Sequence, residues 1–227
     1  TDSNASDPAS RVNTFLHVNH APNQVRNGIL LCINGTGILN SWMRRMLGDV
    51  SYEEMNRLAS ESPIGSAGLS FLPFGNGAER ILGNTHPGAS LSGLDFNRHS
   101  RAHLLRSVQE GIVFALAYGF DVLRGMGAIT KVVRAGHANL FLSPLFREAF
   151  VNTLGVPLEL YRTNGAVGAA LGAGVGAGIF NSARDAFHGL ERMEVTEPQN
   201  ELYGQYELAR DSWTQAFSKS MSSDSLK

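Results

Sequence analysis

The stretch KVVRAGHANLFLSPLFREAFVNTLGVPLELYR, residues 131–162, decides the fold. Lys131 to Ala135 reads as a strand that ends at Gly136. Ser143 to Leu154 reads as a helix with Pro144 at its first position, where the absent N–H has no intrahelical partner to lose. Leu158 to Tyr161 is a second strand, and a second helix is expected from about Val167 to Phe180. Strands alternating with helices predict an α/β layer with largely parallel pairing.

Upstream, Thr14 to Val18 and Gly28 to Ile33 read as strands, with a loop around Pro22 and Asn23. Asn34 is expected to cap a helix from about Gly35 to Leu47, which Gly48 ends. Ser51 to Glu54 reads as a capping box for a helix to about Ser60, and Pro63 to Ser66 as a breaker. Leu69 to Leu72 and Ala89 to Leu94 are short strands around a Gly-rich loop, residues 75–80. A long helix follows from about Ser100 to Arg124, with Leu105, Val108, Ile112, Leu116, Phe120 and Leu123 forming one buried stripe. A final helix spans Glu201 to Lys219.

The 227 residues suit one sizeable domain, and 43% hydrophobic with 17% charged residues places it among globular rather than disordered chains. A net charge of −1 gives no basic field for nucleic acid or an anionic membrane. The apolar run from Val167 to Phe180 is mostly Gly and Ala and too short to span a bilayer. Lone Cys32 excludes an internal disulfide, and its apolar neighbours predict a buried, inert thiol. One Cys and seven scattered His offer no metal site. The polar opening from Thr1 to Asn4, without Met or an apolar segment, is expected to be a fragment boundary. The expected layout is a polar leader over 1–13, one domain over 14–219 and a disordered tail over 220–227.

Three Gly-containing segments carry candidate chemistry. At Gly136, His137 and Asn139, with Ser143 opening the next helix, backbone N–H groups and a helix dipole can meet a phosphate. The second segment, Ile33 to Trp42, holds Gly37, Asn40 and Ser41 in a helix's early turns, where an amide or hydroxyl can read adenine or ribose. Trp42 is expected in the core. Each segment alone also fits an ordinary strand–turn–helix unit. In the third, Gly168, Gly172 and Gly176 lie four apart, predicting a flat helix face for close packing rather than phosphate binding. No Walker A, dinucleotide or Gly-x-Ser-x-Gly pattern is present. Asp2, Asp7, Glu110 and Asp121 are expected to be solvated or capping groups, and Glu79 with Arg80 a pair that braces a cleft.

With these segments in view, the sequence resembles the FGGY carbohydrate kinases. Ala89 to Leu94 and, after residues 95–102, His103 to Glu110 match the family's second signature. Only Gln109 stands where an apolar residue is usual, and it is expected to face outward. Phe71 to Arg80 resembles the family's Phe-Leu-Pro-Tyr…Gly-Glu-Arg loop. Ser143 to Arg147 resembles its Ser-Pro-Leu-Trp-Arg segment with Phe146 for Trp, and Ala169 to Ala173 its Ala-Ala-Leu-Gly-Ala segment. The likeness runs from about Thr14 to Trp213, and the pattern is closest to that of the xylulose kinases.

The resemblance implies a ribonuclease H-like (actin-like ATPase) α/β domain, incomplete, with helices packed on a mixed sheet. It implies the C-terminal, nucleotide-binding side of a cleft that takes ATP, with Mg²⁺ bound through the nucleotide, and a sugar held mainly by an N-terminal domain. Gly37 with Asn40 or Ser41 would lie near adenosine, and Gly136, His137, Asn139 and Ser143 near the phosphates and adenine. The turn from Gly136 to Ser143 is about two residues longer than the family's. Neither the family's Asp-x-Gly-Thr loop, nor its catalytic Asp, nor its Gly-Thr-Ser-Gly turn is in this sequence, so no residue is assigned as base and the chain alone is expected to be inactive. The parent would be a cytoplasmic ATP:ketopentose kinase, for D-xylulose. The alternatives are another sugar of the family (ribulose, gluconate or glycerol) or a non-catalytic nucleotide-binding or oligomerising module. The aromatics of the last helix are expected to pack on their own domain, with a homodimer interface as the alternative.

Overall fold

The computed structural model describes residues 1–224. In chain order the elements are strands β1 (Asn13–Leu16) and β2 (Asn27–Leu30), helices α1 (Thr36–Met46) and α2 (Tyr52–Ser60), strands β3 (Ser70–Phe74) and β4 (Gly88–Ser92), and helix α3 (Arg101–Gly125). Then come β5 (Val133–Gly136), α4 (Pro144–Leu154), β6 (Leu158–Tyr161), α5 (Gly165–Gly176), α6 (Ala183–Phe187), β7 (Arg192–Thr196) and α7 (Asn200–Asp224). The α/β alternation is present, and β5 and β6 pair in parallel with Val133 opposite Leu158. β7 adds to β6 antiparallel, so this three-stranded sheet is mixed. The remaining sheets are two antiparallel pairs, β1–β2 and β3–β4.

Neither α6 nor β7 is apparent from residue pattern. α6 is one short turn held by its Ser182 cap, whose Oγ accepts from Asp185 N. β7 is largely exposed and owes its conformation to the edge of β6, where Leu158 and Leu160 are buried. The final helix runs past Lys219 to Asp224, over the first residues of the expected tail; 225–227 lie outside the described residues.

The core is built around α3. The expected single stripe is too modest: every residue from Leu105 to Ala115 is buried. Leu116, Phe120 and Leu123 are only half-buried. A helix enclosed on all sides must satisfy its polar side chains internally. Arg106 Nε donates to Glu110 Oε1 at 2.7 Å, its Nη1 to Ser62 O at 2.8 Å and its Nη2 to Tyr206 Oη at 3.1 Å. Tyr206 Oη donates onward to Glu148 Oε1. Glu110, expected to be solvated or a cap, is buried, and it takes the N–H of Gly65 beyond its ion pair. Gly65 lies in a short 3-10 turn, Ile64–Gly68, in which it, Ser66 and Ala67 are left-handed.

Gln109 also departs from expectation. It is 1% exposed, donates to Asn56 Oδ1 on α2 and accepts from Ser143 Oγ at the start of α4. An outward position is closed to it because α2 and α4 both pack on α3.

β3 crosses α3 at Gly111, where a Cβ would lie 2.1 Å from Phe71 O. That carbonyl accepts from Trp213 Nε1 at 2.9 Å, which ties α7 to the same crossing. Trp213 stacks on Phe217, and with Tyr206 they are buried against the domain as expected of this helix, while Tyr203 is exposed. Ahead of β1, Val12 joins the core. Asp7, expected to be solvated or a cap, is instead buried ahead of β1, where no helix begins, and accepts from Arg11 N and from the Arg11 guanidinium.

Three local expectations are overturned. Cys32 is exposed, because Leu31 and Ile33 on either side of it take the inward positions. Trp42 is 43% exposed, beside the groove between α1 and the β3–β4 pair rather than in the core. The small-residue face of α5 is uncovered: a Cβ at Gly168, Gly172 or Gly176 would meet nothing within 4 Å, and α5 packs instead through Gly174 on Phe180.

Two kinds of glycine follow. Gly111→Ala drives a methyl into the Phe71 carbonyl and is expected to lower stability by about 3 kcal/mol. Gly172→Ala fills open space on a helix and is expected to raise it by about 1 kcal/mol. Urea unfolding of both variants beside the parent chain checks the two signs.

Candidate functional site

The turn between β2 and α1 is fixed from below. Gly35, the N-cap of α1, lies so close to β3 that a Cβ would sit 1.5 Å from Pro73 O, so only glycine fits. Asn34 was expected as the cap, but no side chain caps α1. The Asn34 side-chain amide instead donates to Ala78 O, and the backbone carbonyl of Asn34 accepts from Asn76 Nδ2. The N–H groups of Asn34 and Gly35 both point at the Glu79 carboxylate, at 3.1 Å. Glu79 is wholly buried, and burial pushes its carboxyl above the ordinary carboxylate range despite the N–H donors. Arg80 does not pair with it; its Nε reaches Ser10 O. The expected Glu–Arg brace is thus a brace by Glu79 alone, on this turn.

Above the turn, Gly37 is exposed and its Cβ position opens to free space. Asn40 is half-buried, and Ser41 Oγ accepts from Arg45 Nη1 at 2.9 Å. Beside it, α1 and the β3–β4 pair enclose a groove of about 670 Å³, whose lining includes Ile38, Trp42, Phe71, Pro73 and Leu91.

The second turn leaves the C-terminal end of β5, where parallel sheets commonly present ligand sites. Gly136 is required for packing: its Cβ would lie 2.4 Å from Thr163 O. His137 N–H donates to Tyr161 O, Ala138 N–H to Gly136 O, and the His137 side chain is exposed. Asn139 is exposed and left-handed, φ 55°. It begins a 3-10 turn, Asn139–Leu142. Ser143 is buried; its Oγ accepts from Phe146 N–H, capping α4, and donates to Gln109. Its hydroxyl is therefore spent on the scaffold.

A smaller hollow of about 410 Å³ opens here between the ends of β5 and β6, lined by Arg134, Gly136, Tyr161, Thr163, Phe187 and Leu190 among others. Its edge is charged. Glu159 accepts from Arg134, Tyr161 and Arg192, and chiefly the Arg134 hydrogen bond holds its carboxyl down at about 2.

The structure thus places Gly37, Asn40 and Ser41 on α1, and Gly136, His137, Asn139 and Ser143 on the β5–α4 connection. No hydrogen bond among the described residues joins the two sets. Sequence reading places Glu79 in a brace but gives it Arg80 as partner, and it does not single out Gln109 as a support. The only signal for Glu79 was its place in the Gly-Ala-Glu-Arg loop. Among the described residues no group of three or more His, Cys, Asp or Glu could hold a metal ion, and no helix is long and apolar enough to cross a membrane.

No family model matches the chain. Curated proteins do. A xylulose kinase of Haemophilus influenzae is 36% identical over 105 residues, 46% of this chain and 21% of that protein. An L-xylulose/3-keto-L-gulonate kinase of Escherichia coli is 28% identical over 170 residues, 71% of this chain and 33% of that one. Among solved structures, a ligand-bound xylulose kinase from Lactobacillus acidophilus superposes with a TM-score of 0.79 at 20% identity, covering 95% of this chain and 43% of that one. The chain spans less than half the length of these proteins. The superposition establishes the fold as the ribonuclease H-like (actin-like ATPase) one that the motifs imply.

Glu159 supplies a pH test of the hollow's edge. Its folded carboxyl titrates at about 2, below its ordinary 4.5, so the stability it contributes is present above pH 4.5 and is lost as pH falls towards 2. Glu159→Gln is expected to lower the melting temperature at pH 7, with the difference from the parent shrinking through that window. Thermal scans from pH 7 to 2 measure it.

Proposed function

We propose, from the FGGY-like motifs and the likeness to xylulose kinases, that the chain is the C-terminal, nucleotide-binding part of an ATP-dependent FGGY-type kinase for a ketopentose, D-xylulose, in the cytoplasm. The observation that carries the reading is the pair of backbone turns at the ends of β2 and β5. Each is shaped by a glycine pressed on a neighbouring carbonyl, and each presents exposed positions, Gly37 on one and His137 and Asn139 on the other.

On this reading the turn after β5 faces the phosphates and the first turns of α1 face adenosine, with Asn40 as the available amide. Ser143 acts by holding the turn, since its hydroxyl bonds Gln109. Phosphoryl transfer is mainly positioning and electrostatic stabilisation, drawn from both walls of a cleft. This chain supplies one wall, and none of its residues is assigned as base. Mg²⁺ would be carried on the nucleotide's phosphates. That one matching relative is named for L-xylulose and 3-keto-L-gulonate keeps a second sugar in view.

Gly136 is unsuited to probing ligand binding, because any side chain there strikes Thr163 O. Gly37 is suited, because a side chain there enters open space. The chain is expected to bind Mg·ADP in calorimetry. Gly37→Leu should weaken binding at least about tenfold, a loss of roughly 1.4 kcal/mol, with an unchanged or higher melting temperature. Equal affinity in the variant would remove the nucleotide from α1, and no binding by the parent chain would sink the reading.

A further inference from the structure

Helices α2, α4, α5 and α6 each begin with a local cap, a Ser or Asn side chain that accepts the N–H three residues on. α1 does not. Its N-cap is Gly35, and the acceptor for the N–H groups entering it comes from Glu79, 44 and 45 residues away in sequence. A local cap satisfies donors and leaves the helix free to shift on its neighbours. A remote carboxylate satisfies them and also ties the helix entry to the loop that follows β3. Two further bonds, Asn34 Nδ2 to Ala78 O and Asn76 Nδ2 to Asn34 O, and the contact of Gly35 with Pro73 O close the same joint.

The arrangement is expensive. A buried carboxylate without a cation is strongly disfavoured unless N–H donors surround it. Among the described residues Glu79 hydrogen-bonds no Arg, Lys or His, and Arg80 beside it turns to Ser10 O. Its own backbone is pinned as well: its N–H donates to Thr85 O, and its carbonyl accepts from Leu82 and Asn84. The acceptor is therefore rigid, and it sits at the positive end of a helix dipole, which favours its charge.

We propose that Glu79 is a positioning residue for nucleotide: by gripping the Asn34 and Gly35 N–H groups it sets the entry of α1 and so aims Gly37, Asn40 and Ser41 at the bound adenosine. This role rests on the nucleotide reading above.

The test compares the parent chain with Glu79→Ala, Glu79→Gln and Met55→Ala. The last opens a cavity under α2 and destabilises without touching the joint. Mg·ADP affinity is measured by calorimetry well below each melting temperature, and amide exchange at Asn34 and Gly35 by NMR. Removing the charged acceptor in Glu79→Ala should weaken Mg·ADP at least about tenfold and speed exchange at both amides. Glu79→Gln keeps one acceptor oxygen and should return to within about threefold of the parent, while Met55→Ala binds as the parent does. Parent-like binding by Glu79→Ala overturns the proposal, as does an equal loss in Met55→Ala. Absence of binding in the parent is a different failure: it removes the nucleotide reading and the role built on it, while fast exchange in Glu79→Ala would still show the joint.

Discussion

Burying α3 on every side obliges the rest of the domain to answer its polar residues. An amphipathic helix sends its charges to water, whereas α3 carries Arg106, Gln109 and Glu110 into the core. Unsatisfied, each would cost on the order of 1–3 kcal/mol or more. Their partners therefore specify positions. Glu110 fixes the turn at Gly65, Arg106 reaches Ser62 and Tyr206, and Gln109 joins α2 to the start of α4. Through Tyr206 and Trp213, α7 is held on the same helix and on β3. The long polar-looking C-terminal helix thus belongs to the core, and the cap of α4, from which the β5 turn hangs, is set by a side chain of α3.

Much of this architecture is legible in the sequence, and the failures share a cause. The β5–α4–β6 unit, α2 with its Ser51 cap, and the long helix are readable because local rules of period, capping and breaker residues agree with the final packing. β7 is missed because an exposed edge strand has little pattern of its own and is made by its neighbour. Gln109 and Glu110 are misplaced because a polar residue on a helix reads as solvent-facing, and only the third dimension shows α2 and α4 closing over them. Trp42 errs the other way, since an aromatic reads as core although α1 sets it beside a groove.

The candidate site shows the same division. Gly37, His137 and Asn139 can be picked out as exposed turn residues in a Gly-rich context. What holds them there cannot, because Glu79 and Asn34 are far apart in sequence. Glycine itself is ambiguous in one dimension. At Gly35, Gly111 and Gly136 a carbonyl of another segment occupies the space of a Cβ, while a Cβ at Gly37, Gly168 or Gly172 would meet nothing. A glycine in a helix costs roughly 1 kcal/mol relative to alanine, so the second class stands out energetically once the first has been accounted for.

Two polar side chains at the turns, Ser143 and Glu79, are turned inward. Ser143 bonds Gln109, and Glu79 bonds the backbone of α1. Spending them on the scaffold leaves the turns to act through backbone shape, and backbone shape is only as reliable as its supports. A loop supported by local contacts alone would trade affinity against ordering entropy whenever it engaged a ligand. Here both turns are braced from buried positions: the first by a carboxylate on the β3–β4 connection, the second by a serine–glutamine pair rooted in α3. The order of these exposed segments is thereby borrowed from the core, which is how a surface made largely of glycine and short polar residues can hold one geometry.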